Sequence, residues 1–206
     1  PYFFDVRVWN PSTCVEELSP IPLLLPHEIV HVMLAWNKHS RALVLSRESM
    51  DAMDIRRLAN VERKAGLSEA SLFGLGLWLD GVACKWGRSE SLDCTTLSFP
   101  GFPGRWRNVR IPLVVIEHKH VGPNAIDDLL SVLAWSFRCA LSNTFPSQRH
   151  DRSPWQASDA KRKKYAGTMG VASCVCRVTG DLKMYKEVVR FPQHNEVSGC
   201  CFRCRA

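Results

Sequence analysis

The chain has 206 residues, of which 46% are hydrophobic and 23% are charged, with 12 glycines and 12 prolines. This composition is typical of a globular protein and excludes disordered, collagen-like and coiled-coil chains. Lys and Arg number 27 against 20 acidic residues, which gives a net charge of +7. The longest apolar runs are far shorter than the roughly 20 residues of a membrane-spanning helix. We therefore expect no membrane partner and no secretory signal, and interpret a sequence that opens on proline as a fragment.

The positive charge is concentrated towards the end of the chain. Residues 138–206 carry 13 basic and 5 acidic residues, a net charge of +8, whereas residues 1–137 have a net charge of −1. A basic half beside a neutral half favours a polyanionic partner, with DNA or RNA first among them. A solvated charged surface remains the alternative.

The first 20 residues are expected to be irregular, because prolines interrupt each stretch that could form a long element. A helix is predicted over 26–36, since proline suits the first turn of a helix. The charged stretch 47–65 is predicted to span a loop and a helix that Gly66 ends.

Three strands are predicted next, over 75–79, 92–99 and 109–118. Glycine and proline bound each of them at short spacing, which is typical of an antiparallel meander. Asn124 is predicted to cap an apolar helix over 125–141.

A basic loop over 148–167 follows that helix and leads to a fourth strand over 171–178. We expect the fourth strand to lie beside the first one in a mixed sheet. The sequence therefore predicts an α/β fold with two parts, an irregular or helical region over 1–70 and a core over 71–206.

Two aspartates follow strands that are expected to be neighbours. Asp80 follows the first strand of the core and Asp181 follows the fourth. Carboxylates that lie this close stay ionised only with a cation between them, and Mg²⁺ prefers such oxygen ligands. The alternative is that each aspartate is a turn residue at a strand end.

The ordered set of motifs around these aspartates resembles the catalytic core of DDE/D transposases of the CACTA and Plavaka kind. The matching segments are Leu77-Trp-Leu-Asp80-Gly81, Pro112 in the third strand, Gly180-Asp181, Phe191-Pro192 and Cys201-x-x-Cys204.

This resemblance spans residues 72–206 and implies an RNase H-like fold with Asp80 and Asp181 as the first two Mg²⁺ ligands. It implies Mg²⁺-dependent cleavage and transfer of DNA strands. The four-residue basic run that starts at Lys161 matches a minimal nuclear-localisation signal, so we expect a nuclear location if the source is eukaryotic and an intracellular one otherwise. The third acid of the family follows the Cys-x-x-Cys segment at some distance. Asp93 and Glu117 are not at matching places, so we expect the third acid beyond Ala206 and an incomplete catalytic site in this chain.

A zinc site is the second metal hypothesis. Cys201 and Cys204 have the spacing of two thiolate ligands, and His194 upstream could be a third ligand. The remaining ligands are then expected beyond Ala206, and free thiols are the alternative.

Basic and aromatic residues predict a nucleic-acid contact in the second half of the chain. Cations can follow a phosphate backbone while Trp155 stacks on a base. The candidates are Arg105, Arg107, Arg149, Arg152, Trp155, Lys161, Arg162, Lys163 and Lys164.

His27-Glu28-x-x-His31 matches the short metalloprotease motif H-E-x-x-H. Because Pro26 places His27 at the very start of the helix and no third ligand is evident, we expect no zinc there. A transposase-derived core is therefore the main functional hypothesis, with DNA rather than a small molecule as substrate. A non-catalytic nucleic-acid-binding remnant and a zinc protease are the alternatives.

Overall fold

A computed structural model describes residues 1–36, 47–68, 71–83, 91–103, 108–122, 124–165 and 167–180. These residues form an α/β fold with six strands and three α-helices in the described ranges. In this part of the chain, no helix combines the length and the apolar character needed to cross a membrane.

The chain begins with an antiparallel hairpin of β1 (Tyr2–Asn10) and β2 (Val15–Leu23). The expectation of an irregular segment over residues 1–20 is therefore wrong. Pro20 and Pro22 occupy alternate positions of β2, so both nitrogens lie on the same edge of a strand that pairs with β1 along one edge only. Proline is tolerated in such an outer strand, and this is why the prolines do not interrupt it.

Two helices follow the hairpin. Helix α1 (Pro26–Trp36) confirms the predicted helix that starts at proline. Helix α2 (Ala52–Ala65) begins after Asp51, whose side chain accepts a hydrogen bond from the backbone nitrogen of Asp54. It ends at Gly66, as predicted, because this residue has a φ of 64°, in the left-handed region that glycine adopts without strain.

A four-stranded sheet forms the centre of the protein. Strands β3 (Leu72–Ala83), β4 (Ser91–Ser98) and β5 (Arg110–Glu117) are the antiparallel meander that the sequence predicts. Strand β6 (Ala172–Gly180) pairs with β3 in parallel, so the order across the sheet is β5-β4-β3-β6. The prediction that the first and fourth strands of the core are neighbours is confirmed.

Helix α3 (Ala125–Ser142) connects the meander to the segment that leads into β6. Asn124 precedes it as predicted, but its side chain does not cap the helix. The amide nitrogen of Asn124 donates instead to Oε2 of Glu16 at 2.7 Å, which ties the start of α3 to the hairpin. Asn143, with a φ of 55°, ends the helix.

The two faces of the sheet bury different partners. One face of β3 contributes to a buried cluster with the hairpin and α3, which includes Tyr2, Phe4, Phe73, Leu75, Leu77, Leu79, Leu129 and Leu133. On the other face, Leu72 packs with Leu58 of α2 and with the two β6 cysteines, Cys174 and Cys176. Residues on both sides of position 70 thus share one core, and the two-part division stays a prediction.

Candidate functional site

Asp80 lies within β3 and not at the end of the strand, because β3 continues to Ala83. It is paired with Cys94 of β4, and its half-buried side chain accepts a hydrogen bond from Nε1 of Trp78 at 3.3 Å. Burial, and after it the negative charge of Asp80, raise the pKa of the Cys94 thiol. The neighbour of the carboxylate is therefore a neutral thiol, which does not compete with oxygen for a hard cation.

Trp78 and Asp80 lie on the same face of the sheet, since side chains alternate along a strand. The guanidinium carbon of Arg110 lies 3.7 Å from the centre of the Trp78 ring, in a cation–π contact. This contact holds Trp78 on the surface of the sheet, next to the carboxylate that its indole nitrogen reaches. The result is a polar patch of Trp78, Asp80, Cys94 and Arg110 on three adjacent strands.

The partner strand of β3 ends directly before the second predicted ligand. Leu79 and Gly180 are register partners at the end of the parallel pairing of β3 with β6. Asp80 and Asp181 are the residues that follow these partners in the sequence. Asp181 itself lies outside the described residues, as do Cys201, Cys204 and His194 of the predicted zinc site and Arg105 and Arg107 of the basic set.

Within the described residues, no group of three or more His, Cys, Asp or Glu side chains lies close enough to hold a metal ion. Of the predicted metal ligands, only Asp80 belongs to that part of the chain.

The H-E-x-x-H segment begins α1, and two of its side chains bind other parts of the protein. His27 is 1% exposed, and its Nδ1 lies 2.8 Å from Oγ of Ser136 in α3. Burial, assisted by the positive charge of Arg162, lowers the pKa of His27 to about 3. Glu28 accepts hydrogen bonds from Nε and Nη2 of Arg162, at 2.5 and 2.9 Å. These contacts give His27 and Glu28 structural roles at the junction of α1 with α3 and the basic loop.

The third residue of that segment, His31, belongs to an aromatic group. Its ring lies edge-on to Phe145 and to Tyr165, with centroid distances of 4.9 and 5.6 Å. Phe145 and Tyr165 are in turn stacked, 5.0 Å apart and 18° from parallel. The helix α1 thus supports the end of the basic loop through Glu28 and through His31.

Two arginines of the predicted nucleic-acid set are bound inside the protein. Arg149 is 5% exposed; it forms an ion pair with Asp159, donates to the carbonyl of Phe3 at 2.5 Å and lies over the Tyr2 ring. Arg162 binds Asp159 in addition to Glu28. The expectation that these two arginines contact a phosphate backbone is corrected, because the buried Asp159 and the half-buried Glu28 already neutralise them.

Trp155 is half-buried, and it packs against Trp135 of α3 with their centroids 6.3 Å apart. This packing favours a structural role for the residue that the sequence suggested as a stacking platform. The remaining cations of the loop, Arg152, Lys161, Lys163 and Lys164, are exposed.

Tyr165 is the aromatic residue that sequence reasoning missed. It is 47% exposed, and it directly follows Lys164 at the end of the 3₁₀ turn Arg162–Lys164. The sequence does contain a signal for it, because Tyr165 directly follows a run of four cations. Trp155, the aromatic residue in the predicted set, lies six residues before that run.

Comparison of the chain with models of protein families, with curated proteins and with solved structures finds no match in any of the three.

Proposed function

We propose that the chain is the RNase H-like core of a DDE/D transposase of the CACTA and Plavaka kind, which acts on DNA with Mg²⁺. The observation that carries this proposal is the parallel register of Leu79 with Gly180, because an aspartate follows each of these residues. If the two strands diverge little over the next residue, the carboxylates of Asp80 and Asp181 lie within reach of the same cation.

The topology of the sheet supports the same proposal. Three antiparallel strands, a helix and a fourth strand parallel to the first are what the resemblance implies for an RNase H-like core. In such an arrangement the first and fourth strands present their carboxyl ends at one edge of the sheet. Acids that are distant in the sequence therefore meet at a single site.

The environment of Asp80 fits a hard cation. Its carboxylate is half-buried and, among the described residues, accepts one long hydrogen bond, from Trp78, and forms no ion pair with any of them. The described residues therefore leave carboxylate oxygen lone pairs of Asp80 for a cation. Two Mg²⁺ ions, when bound, stabilise the attacking and the leaving oxygen of a phosphodiester displacement.

The third acid that the resemblance implies is not assigned to a residue of this chain. We therefore propose that the chain binds a divalent cation at Asp80 and Asp181 but does not by itself complete the catalytic site. Zinc binding by Cys201, Cys204 and His194 is a separate part of the proposal and has its own ligands.

Titration with Mn²⁺, followed by water proton relaxation, tests the cation site. Asp80→Asn and Asp181→Asn should each weaken binding by roughly tenfold or more, because each removes a direct ligand. Asp93→Asn is the matched control. Asp93 lies on β4 as the register partner of Gly81, so its side chain is on the face of the sheet opposite to Asp80. On that face, Oδ2 of Asp93 lies 2.8 Å from Nδ1 of His118. Equal binding by Asp80→Asn and the unsubstituted chain contradicts the proposal.

A nucleic-acid-binding protein without catalysis is the second candidate function. The observation that favours it is the exposed run Lys161, Lys163 and Lys164, which is independent of Asp80. Binding of DNA that is equally strong in EDTA and in Mg²⁺, together with no Mn²⁺ binding at Asp80, supports this second function over the first.

The zinc protease has less support. A general base in such an enzyme must reach the water on the metal, whereas both carboxylate oxygens of Glu28 accept hydrogen bonds from Arg162.

A further inference from the structure

We infer that Tyr165, Lys161, Lys163 and Lys164 form a binding site for single-stranded nucleic acid, in which Tyr165 stacks on a base and the lysines follow the phosphates. The inference rests on the proposed function only in taking the polyanionic partner to be nucleic acid. It needs neither a metal ion nor Asp80.

The stacking residue is exposed and yet held in place. Phe145 covers one face of the Tyr165 ring at 5.0 Å, while 47% of Tyr165 remains accessible to solvent. His31 contacts the same ring edge-on and restricts its rotation. An aromatic side chain that two neighbouring rings hold in place, and that is still exposed over nearly half of its surface, loses little conformational entropy when a base stacks on it.

The backbone on both sides of Tyr165 is anchored to the rest of the protein. Before it, the turn Arg162–Lys164 is tied to α1 by the two hydrogen bonds from Arg162 to Glu28. After it, the carbonyl of Gly167 accepts a hydrogen bond from the backbone nitrogen of Phe145 at 3.0 Å. The lysines and the tyrosine therefore project from a fixed turn, which positions them together.

The charges of the turn are arranged with the cations outside. Lys161, Lys163 and Lys164 are exposed, whereas the acidic residue of the same segment, Asp159, is 2% exposed and bound by Arg149 and Arg162. Asp159 and Glu28 together neutralise Arg149 and Arg162, which leaves the charge of the lysines to a ligand. Such a surface attracts a phosphate backbone.

The aromatic residue selects the single strand. Base faces inside a duplex are covered by their neighbours, so only an unpaired strand offers a base to an exposed ring. If the lysines alone bound the strand, the affinity would be equal for any polymer with the same spacing of phosphates.

The test compares two single-stranded 12-mers, oligo(dT) and an abasic oligonucleotide of equal length, in EDTA and with the full chain. The unsubstituted chain should bind oligo(dT) more tightly than the abasic strand. Tyr165→Leu should weaken binding of oligo(dT) by about 5- to 150-fold, the effect of one stacked base, and leave binding of the abasic strand unchanged. Tyr165→Phe, which keeps the ring, is the matched control and should retain the affinity. Oligo(U) in parallel distinguishes RNA from DNA as the source of the bases.

The inference is overturned if Tyr165→Leu weakens the binding of both strands equally, or weakens the binding of neither. If that variant does not fold, cross-linking of the unsubstituted chain to a 5-iodouracil oligonucleotide takes its place. A cross-link at Tyr165 supports the site, and cross-links confined to other aromatic residues contradict it. Mn²⁺ binding that is equal in Asp80→Asn and the unsubstituted chain contradicts the catalytic proposal alone, whereas equal affinity of the unsubstituted chain for intact and abasic strands contradicts this inference alone.

Discussion

Glu28 of α1 and Arg162 of the basic loop form a bidentate ion pair across 134 positions of the sequence. Both side chains are mostly buried, with 26% and 14% of their surface exposed. A pair with two parallel hydrogen bonds and little solvent fixes both distance and orientation. It therefore fixes the position of the lysines on either side of Arg162 relative to α1.

Glu28→Gln should lower the free energy of unfolding by about 1–3 kcal/mol, because it leaves Arg162 with a weaker, uncharged partner in a poorly solvated place. Urea denaturation measures the change. Glu117→Gln is the control, since the pair of Glu117 with Lys119 is exposed on both sides and should contribute nothing measurable. Equal losses in the two variants contradict a special role for the Glu28 pair.

The stability of the fold should depend on pH through His27. Its pKa is lowered from 6.5 to about 3 in the folded protein, so the unfolded chain binds the proton first as the pH falls. The free energy of unfolding is therefore highest above pH 6.5 and decreases between about pH 6.5 and 3, by at most about 1.4 kcal/mol per pH unit for one proton. His150, whose pKa burial also lowers, adds to the same trend.

His27→Gln tests the assignment of that proton, because it removes the titrating group. Denaturation curves between pH 7 and 4.5 give the slope of the free energy of unfolding against pH. In His27→Gln this slope should be smaller than in the unsubstituted chain by at most about 1.4 kcal/mol per pH unit, which corresponds to one proton. An unchanged slope assigns the pH dependence to other groups.

Leu58→Ala should cost about 2–5 kcal/mol, because Leu58 is fully buried between α2 and the sheet. A Cβ on Gly74 of β3 would lie only 3.1 Å from Cδ1 of Leu58, so the helix packs directly on the strand. Met53→Ala, on the exposed side of α2, should cost far less. Thermal melts of both variants measure the difference, and similar losses contradict the packing of α2 on the sheet.

The core of the fold could be predicted from the sequence, whereas the hairpin could not. Residues 72–180 carry strands bounded by glycine and proline and one strongly apolar helix, and these local signals place each element close to its observed position. The sequence does not predict the hairpin, because prolines within a stretch normally indicate an interruption. Their alternate spacing, at Pro20 and Pro22, is compatible with an outer strand, and only the pairing with β1 shows that it is one.

The site could be predicted in part, since the pairing of β3 with β6 follows from the order of the elements. Which cations are exposed could not be predicted. Arg149 and Lys161 contribute the same charge to a sequence pattern, but their surroundings differ because Asp159 and the carbonyl of Phe3 lie beside Arg149. Burial of a charged group depends on partners that are distant in the sequence, and local composition does not contain them.

Replacement of Lys161, Lys163 and Lys164 by Ala should reduce the dependence of single-strand affinity on salt. Each phosphate contact contributes a slope of roughly 0.7 in log affinity against log salt, so three contacts predict a decrease of about two. The folded state should be unaffected, because these side chains are exposed. Salt titrations with oligo(dT) measure the slope, and an unchanged slope indicates that the lysines are merely solvated.

A crystal structure of the chain grown with Mn²⁺ tests the central proposal most directly, since the anomalous signal locates the cation. The carboxyl groups of Asp80 and Asp181 should lie within about 4–8 Å of each other, with manganese between them. A separation above about 15 Å, or manganese bound elsewhere with none at Asp80, contradicts the assignment of these two aspartates to one catalytic cation site.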